Sequence, residues 1–127
     1  MMLIGEFYKE KILSLPKKAL MEMELPYGSE PSRVEQDLFG WNLRVGKELI
    51  ECRSEEEARF LKVFQDIGYR DVMIPKSLDY IKELISELED LRAGMDEVID
   101  YYVECLISLK KRERVRQMVY SRIRSCE

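Results

Sequence analysis

The chain has 127 residues, 46% of them apolar and 36% charged, with a formal net charge of −4 and no histidine. That length suits one domain able to bury about two thirds of its unfolded surface. No apolar run approaches the roughly 20 residues of a membrane span, and the missing histidine excludes Ser-His-Asp and Cys-His nucleophile arrangements and every histidine-containing zinc site.

Residues 3–14 predict a short helix with Ile4, Tyr8, Ile12 and Leu15 on one side and Pro16 as its stop. The apolar start, Met1 to Ile4, is broken by Glu6 and is too short for the core of a signal peptide, so a cytoplasmic protein is expected. Met21, Met23 and Leu25 then alternate with Glu22 and Glu24. That period of two predicts a strand over 19–25 with one wet face, in competition with a composition that also favours helix.

Residues 26–31 read as a loop from their prolines and glycine. Ser32 is expected to cap a short helical turn through Phe39. The stretch lacks the spacing of a phosphate-binding loop. Trp41, Leu43 and Val45 alternate with Asn42 and Arg44, and Gly46-Lys47 leads into residues 48–52. Two short strands around a Gly-X pair predict a β-hairpin with a type II′ turn, Leu43 facing Ile50 and Trp41 facing Cys52.

Ser54 followed by Glu57 is a capping box, which opens a helix to about residue 67 with Ala58, Leu61 and Phe64 inward. Gly68 supplies the left-handed stop. Residues 70–75 predict a further strand closed by Pro75. Strand, capped helix and strand would form a β-α-β unit if the two strands were parallel neighbours.

The C-terminal part is rich in helix formers. Leu78, Ile81, Leu84, Ile85, Leu88 and Leu91 line one face of a helix over 78–92, with Ser77 as its cap. Glu83, Glu87, Glu89 and Asp90 lie off that stripe as a solvated face. Gly94 costs about 1 kcal/mol in a helix interior, so the helix is expected to end or bend there. A second helix would then start near Asp96, with Met95, Val98, Ile99, Tyr102, Leu106 and Leu109 inward. Beyond Leu109 the apolar positions become Val115, Met118, Val119 and Ile123, rotated by more than about 90° from that stripe. Either the helix breaks within 110–114, or one helix shows two faces to two neighbours. In the second case those four residues are an oligomer contact.

Charge is unevenly divided. Residues 1–109 hold 14 basic and 23 acidic side chains, a balance of −9; residues 110–127 hold seven and two, a balance of +5. The cations are Lys110, Lys111, Arg112, Arg114, Arg116, Arg122 and Arg124. Such an end suits an acidic protein surface, including that of a second copy of the chain, or nucleic acid. Only Tyr120 stands among the cations to stack on a base.

Cys52, Cys105 and Cys126 have no short paired spacing and read as reduced thiols. Carboxylates at Glu48 and Glu51 are an odd number of residues apart on a strand, so they point to opposite faces and do not converge on a metal. No cofactor or metal site is expected. A single Asn and three Gln among abundant Glu, Lys and Arg lean towards a thermophilic source. The expected fold is α+β. A small sheet with a hairpin and a capped helix occupies residues 1–76, and two long helices occupy 77–124 of the same domain. The expected function is a non-enzymatic interaction module, a homo-oligomer joined through its C-terminal helices. The alternative is a nucleic-acid-binding accessory protein using segment 110–124.

Overall fold

The computed structural model describes residues 2–28 and 30–106, the last six as helix backbone. Among the described residues it is an α+β arrangement of three α-helices, a π-helical turn, a 3-10 turn at Lys17–Ala19 and two small antiparallel sheets.

The N-terminal helix α1, Ile4–Phe7, continues into a π-helical turn, Tyr8–Ile12, in which the Leu13 N–H donates to the Tyr8 carbonyl at 3.0 Å. Ile4, Tyr8 and Ile12 are buried, as the spacing predicts, and so is Phe7, whereas Leu15 is only partly buried. Strand β1, Leu20–Glu24, keeps the expected alternation, with Glu22 and Glu24 exposed.

Ser32 does not cap a helix. The stretch after it is strand β2, Arg33–Asp37. Its only apolar side chain is Val34, so its own pattern is weak. Pairing with β3, Gly40–Val45, decides it, with Val34 opposite Leu43. Strand β4, Glu48–Cys52, completes a β2-β3-β4 meander in the predicted hairpin register, Leu43 to Ile50 and Trp41 to Cys52. Gly46 has φ +61, and among the described residues none other than glycine has positive φ. Lys47 is therefore not left-handed, which fits type II′ and excludes type I′. Gly46→Val should lower stability by about 1–2 kcal/mol, because a β-branched side chain is strained at positive φ. Chemical denaturation checks this; an unchanged midpoint would mean the turn relaxes freely.

Helix α2, Glu55–Asp66, begins at Ser54, whose Oγ accepts the Glu57 N–H at 3.1 Å. The reciprocal half of the box is shifted by one residue: Glu57 Oε1 accepts from the Arg53 N–H at 3.1 Å. The helix ends in a Schellman motif around Gly68 at φ +92, with Tyr69 N–H to the Phe64 carbonyl at 2.9 Å and Gly68 N–H to the Gln65 carbonyl at 3.0 Å.

Strand β5, Asp71–Pro75, does not join β4. It pairs antiparallel with β1, Leu20 opposite Pro75 and Glu24 opposite Asp71, so there is no β-α-β unit. The reason is visible in β4 itself. Glu48, Leu49 and Glu51 are exposed while Ile50 and Cys52 are partly covered, the half-wet pattern of an antiparallel edge rather than a buried parallel strand.

Helix α3, Leu78–Leu106, runs through Gly94 without interruption, so no hairpin forms there and no second helix starts near Asp96. Met95 and Ile99 continue the buried stripe of Ile81, Leu84, Ile85 and Leu88. Arg92 donates to Asp96 at 2.9 Å across the glycine. Burying two more large side chains is worth about 3–6 kcal/mol, more than the glycine penalty.

Helix α2 lies between the meander and α3, while α1 and β5 pack against α3 beside it. The shared core holds Phe7, Ile12, Leu43, Phe60, Leu61, Phe64, Val72, Ile74, Ile81 and Leu88. At its centre Phe64 touches Tyr8, Phe60 and Tyr69, with ring centroids 5.0–5.2 Å away. The Tyr8 hydroxyl accepts the Met73 N–H at 2.7 Å, which ties the π-helical turn to β5.

Candidate functional site

All residues predicted from the basic segment, Lys110, Lys111, Arg112, Arg114, Arg116, Arg122 and Arg124, lie outside the described residues. So do the predicted contact residues Val115, Met118, Val119 and Ile123. Whether the chain breaks within 110–114 lies there too.

Within the described residues, the most exposed large apolar side chains sit together at one turn. Leu38 and Phe39 are each 97% exposed. They form the two-residue connection between β2 and β3. The turn is braced from below. Asp37 Oδ1 accepts the Phe39 N–H at 2.8 Å, and Asp37 Oδ2 accepts from Asn42 Nδ2 at 2.8 Å. Asn42 is itself only 5% exposed. Gly40 follows at φ +135, a conformation that lets the chain re-enter β3 directly. Leaving two such side chains in water forgoes about 3–6 kcal/mol of burial free energy.

This pair was not singled out from the sequence, although a signal exists. Asp37-Leu38-Phe39-Gly40 has Asp at the first and Gly at the fourth position of a type I turn, which places the apolar pair at a tip. The helical reading of 32–39 hid it.

A groove of about 300 Å³ lies between α2 and α3. Three ion pairs line it: Arg59 with Glu89, Lys62 with Asp66 at 2.8 Å, and Arg92 with Asp96 at 2.9 Å. Glu89 is thus engaged by Arg59 across the helix interface rather than simply solvated. Asp66 Oδ1 also accepts the Ser32 N–H at 2.9 Å and the Ser32 Oγ–H at 2.7 Å, and Lys62 donates to the Ser32 carbonyl. Each charge in the groove answers another. The arrangement holds α3 and Ser32 to α2, and among the described residues it leaves no surplus charge for an ionic ligand.

Cys52 does not offer a nucleophile. Partial burial, with the Glu57 carboxylate second, pushes its thiol from about 9.0 to about 11. At pH 8 its thiolate fraction is then about 100-fold below that of an ordinary cysteine. Alkylation of a Cys105→Ser/Cys126→Ser variant should be slow at pH 8 and accelerate up to pH 11. A group whose folded pKa is raised stabilises the fold fully below pH 9 and loses that contribution as pH rises towards 11. Fast alkylation at pH 7 would contradict the burial. Glu48 and Glu51, both exposed, pair across the hairpin with Val45 and Asn42 respectively. Among the described residues no group of three or more Cys, Asp and Glu is placed to hold a metal ion, and no helix is long and apolar enough to cross a membrane.

Compared with models of protein families, with curated proteins and with solved structures, the chain matches none.

Proposed function

We propose that this chain is a non-enzymatic, cytoplasmic interaction module that works as a homo-oligomer, with the Leu38–Phe39 tip as a contact. One observation carries the reading: two large apolar side chains stand almost fully in water on a turn held in place by Asp37 and Asn42. A flexible tip could fold its apolar groups back onto the sheet. A braced one keeps them presented, as a preorganised anchor for a partner's pocket does.

Leu38→Ser/Phe39→Ser should lower the mass measured by light scattering while leaving far-UV dichroism and melting temperature unchanged, since neither side chain packs on its own core. An unchanged mass would remove the tip from any self-contact. A lowered melting temperature would show that it packs within the chain.

The alternative, a nucleic-acid-binding accessory role, draws its support from the seven cations of 110–124. Under that reading wild-type protein retards duplex DNA or RNA at low salt, and affinity falls steeply as salt rises. Absence of retardation at low salt would exclude it.

A further inference from the structure

We infer that the Leu38–Phe39 tip docks on the basic C-terminal segment, residues 110–124, of a second copy of this chain. The inference rests on the interaction reading above and names the occupant of that contact.

The tip is apolar with an acidic flank. Cross-strand register places Asp37, Glu35 and Glu51 on the same outer face of the meander as Arg33 and Arg44, with the three carboxylates nearer the tip and Glu35 and Glu51 on either side of Asn42. Arg44 pairs with Glu35 at 2.9 Å, and the Asp37 carboxylate accepts two hydrogen bonds at the turn. A fitting partner is therefore apolar at its centre and cationic around it. Such flanking carboxylates oppose an anionic lipid surface or a phosphate backbone. Segment 110–124 has the matching composition: Val115, Met118, Val119 and Ile123 are spaced among seven cations and one acid.

The described part of α3 carries the chain away from its own tip. Helices α2 and α3 run in the same direction: Arg59 meets Glu89, and the groove continues past Lys62 and Arg92 to Asp66 and Asp96. The tip lies at the start of α2, because Trp41 pairs with Cys52, two residues before the Ser54 cap. The chain leaves the described helix at Leu106, ten residues beyond Asp96 and past the far end of α2. At about 1.5 Å per residue the two ends are separated by more than about 30 Å along the helix direction. Two copies laid antiparallel would bring each C-terminal segment to the other's tip, a closed two-fold exchange in which both contacts are made at once.

Photo-crosslinking of the full-length chain tests this, with p-benzoyl-phenylalanine in place of the exposed Phe39, where it does not disturb the core. Irradiation should give an adduct of twice the chain mass, with the linked peptide mapping to 107–127. Its yield should fall severalfold between about 0.05 M and about 0.5 M salt, as screening weakens the charge match. An adduct between chains that maps elsewhere, such as to the α2–α3 groove, overturns the proposed occupant while leaving the interaction reading in place. A link within one chain overturns the exchange. If no adduct forms and the double serine variant keeps the wild-type mass, both readings fall. Co-sedimentation of wild-type protein with phosphatidylserine vesicles, lost in the double serine variant, would assign the tip to a lipid surface instead.

Discussion

Phe64→Ala is expected to lower stability by about 3–5 kcal/mol and the melting temperature by about 10–20 °C. Phe64 is fully buried and its ring contacts Tyr8, Phe60 and Tyr69. These neighbours come from different parts of the chain: Tyr8 from the π-helical turn, Phe60 from one turn earlier in α2, and Tyr69 from the segment entering β5. Truncation removes the transfer free energy of the ring and leaves a cavity that none of them can fill alone. Tyr8 is held by its bond to the Met73 N–H, so its collapse into the space is restricted. Against a typical total stability of about 5–15 kcal/mol, the loss is large. Phe64→Leu should cost less than half as much, because it retains most of the volume. Thermal melts followed by circular dichroism distinguish the two. A Phe64→Ala melt within a few degrees of wild type would mean the aromatic cluster is not the centre of the core.

Arg53→Ala should destabilise by about 3 kcal/mol, far more than the near-zero change typical of a partly exposed side chain. The guanidinium joins three elements at the junction of β4 and α2. Its Nε donates to Glu57 Oε2 at 2.6 Å, and its two terminal nitrogens donate to the carbonyls of Lys76 and Pro75 at 2.8 and 3.1 Å. Pro75 ends β5 and Lys76 follows it, so this side chain ties the meander's last strand to the other sheet. Glu57 is only 2% exposed, and removal of the guanidinium leaves its carboxylate buried with little compensation. Arg53→Lys should recover only part, since one ammonium cannot span acceptors that far apart. Adding Glu57→Gln to Arg53→Ala should cost less than the two single changes added together, because the stranded charge is gone. Denaturant midpoints of the four proteins complete the cycle; strict additivity would mean the pair does not act as a unit.

The elements that could be read from the chain alone are those whose causes lie within about five residues of one another. Ser54 and Glu57 start α2, and Gly68 stops it by adopting φ +92. Gly46-Lys47 joins β3 and β4, and the alternation from Trp41 to Val45 sets their register. Tyr8 and Ile12 mark one face of the N-terminal helix, and the alternating Met and Glu of β1 mark a strand. Each depends on backbone hydrogen bonds or side-chain periods that short stretches carry by themselves.

Tertiary structure decided what needed a distant partner. Residues 33–37 hold one apolar side chain and became a strand because β3 offered its edge. β5 looked like the second strand of a crossover and instead found β1, some 50 residues earlier, since the half-wet β4 offered no buried parallel seat. Gly94 looked like a stop, but the cost of one glycine is local and small, whereas the burial of Met95 and Ile99 comes from elements that Gly94 does not touch in sequence. The exposure of Leu38 and Phe39 has the same origin. Composition would bury both, and only the meander's geometry, with Asp37 and Asn42 locking the turn away from the core, leaves them in solvent. Pairing and burial are sums over the whole fold, so the local sequence limits them without choosing among the outcomes.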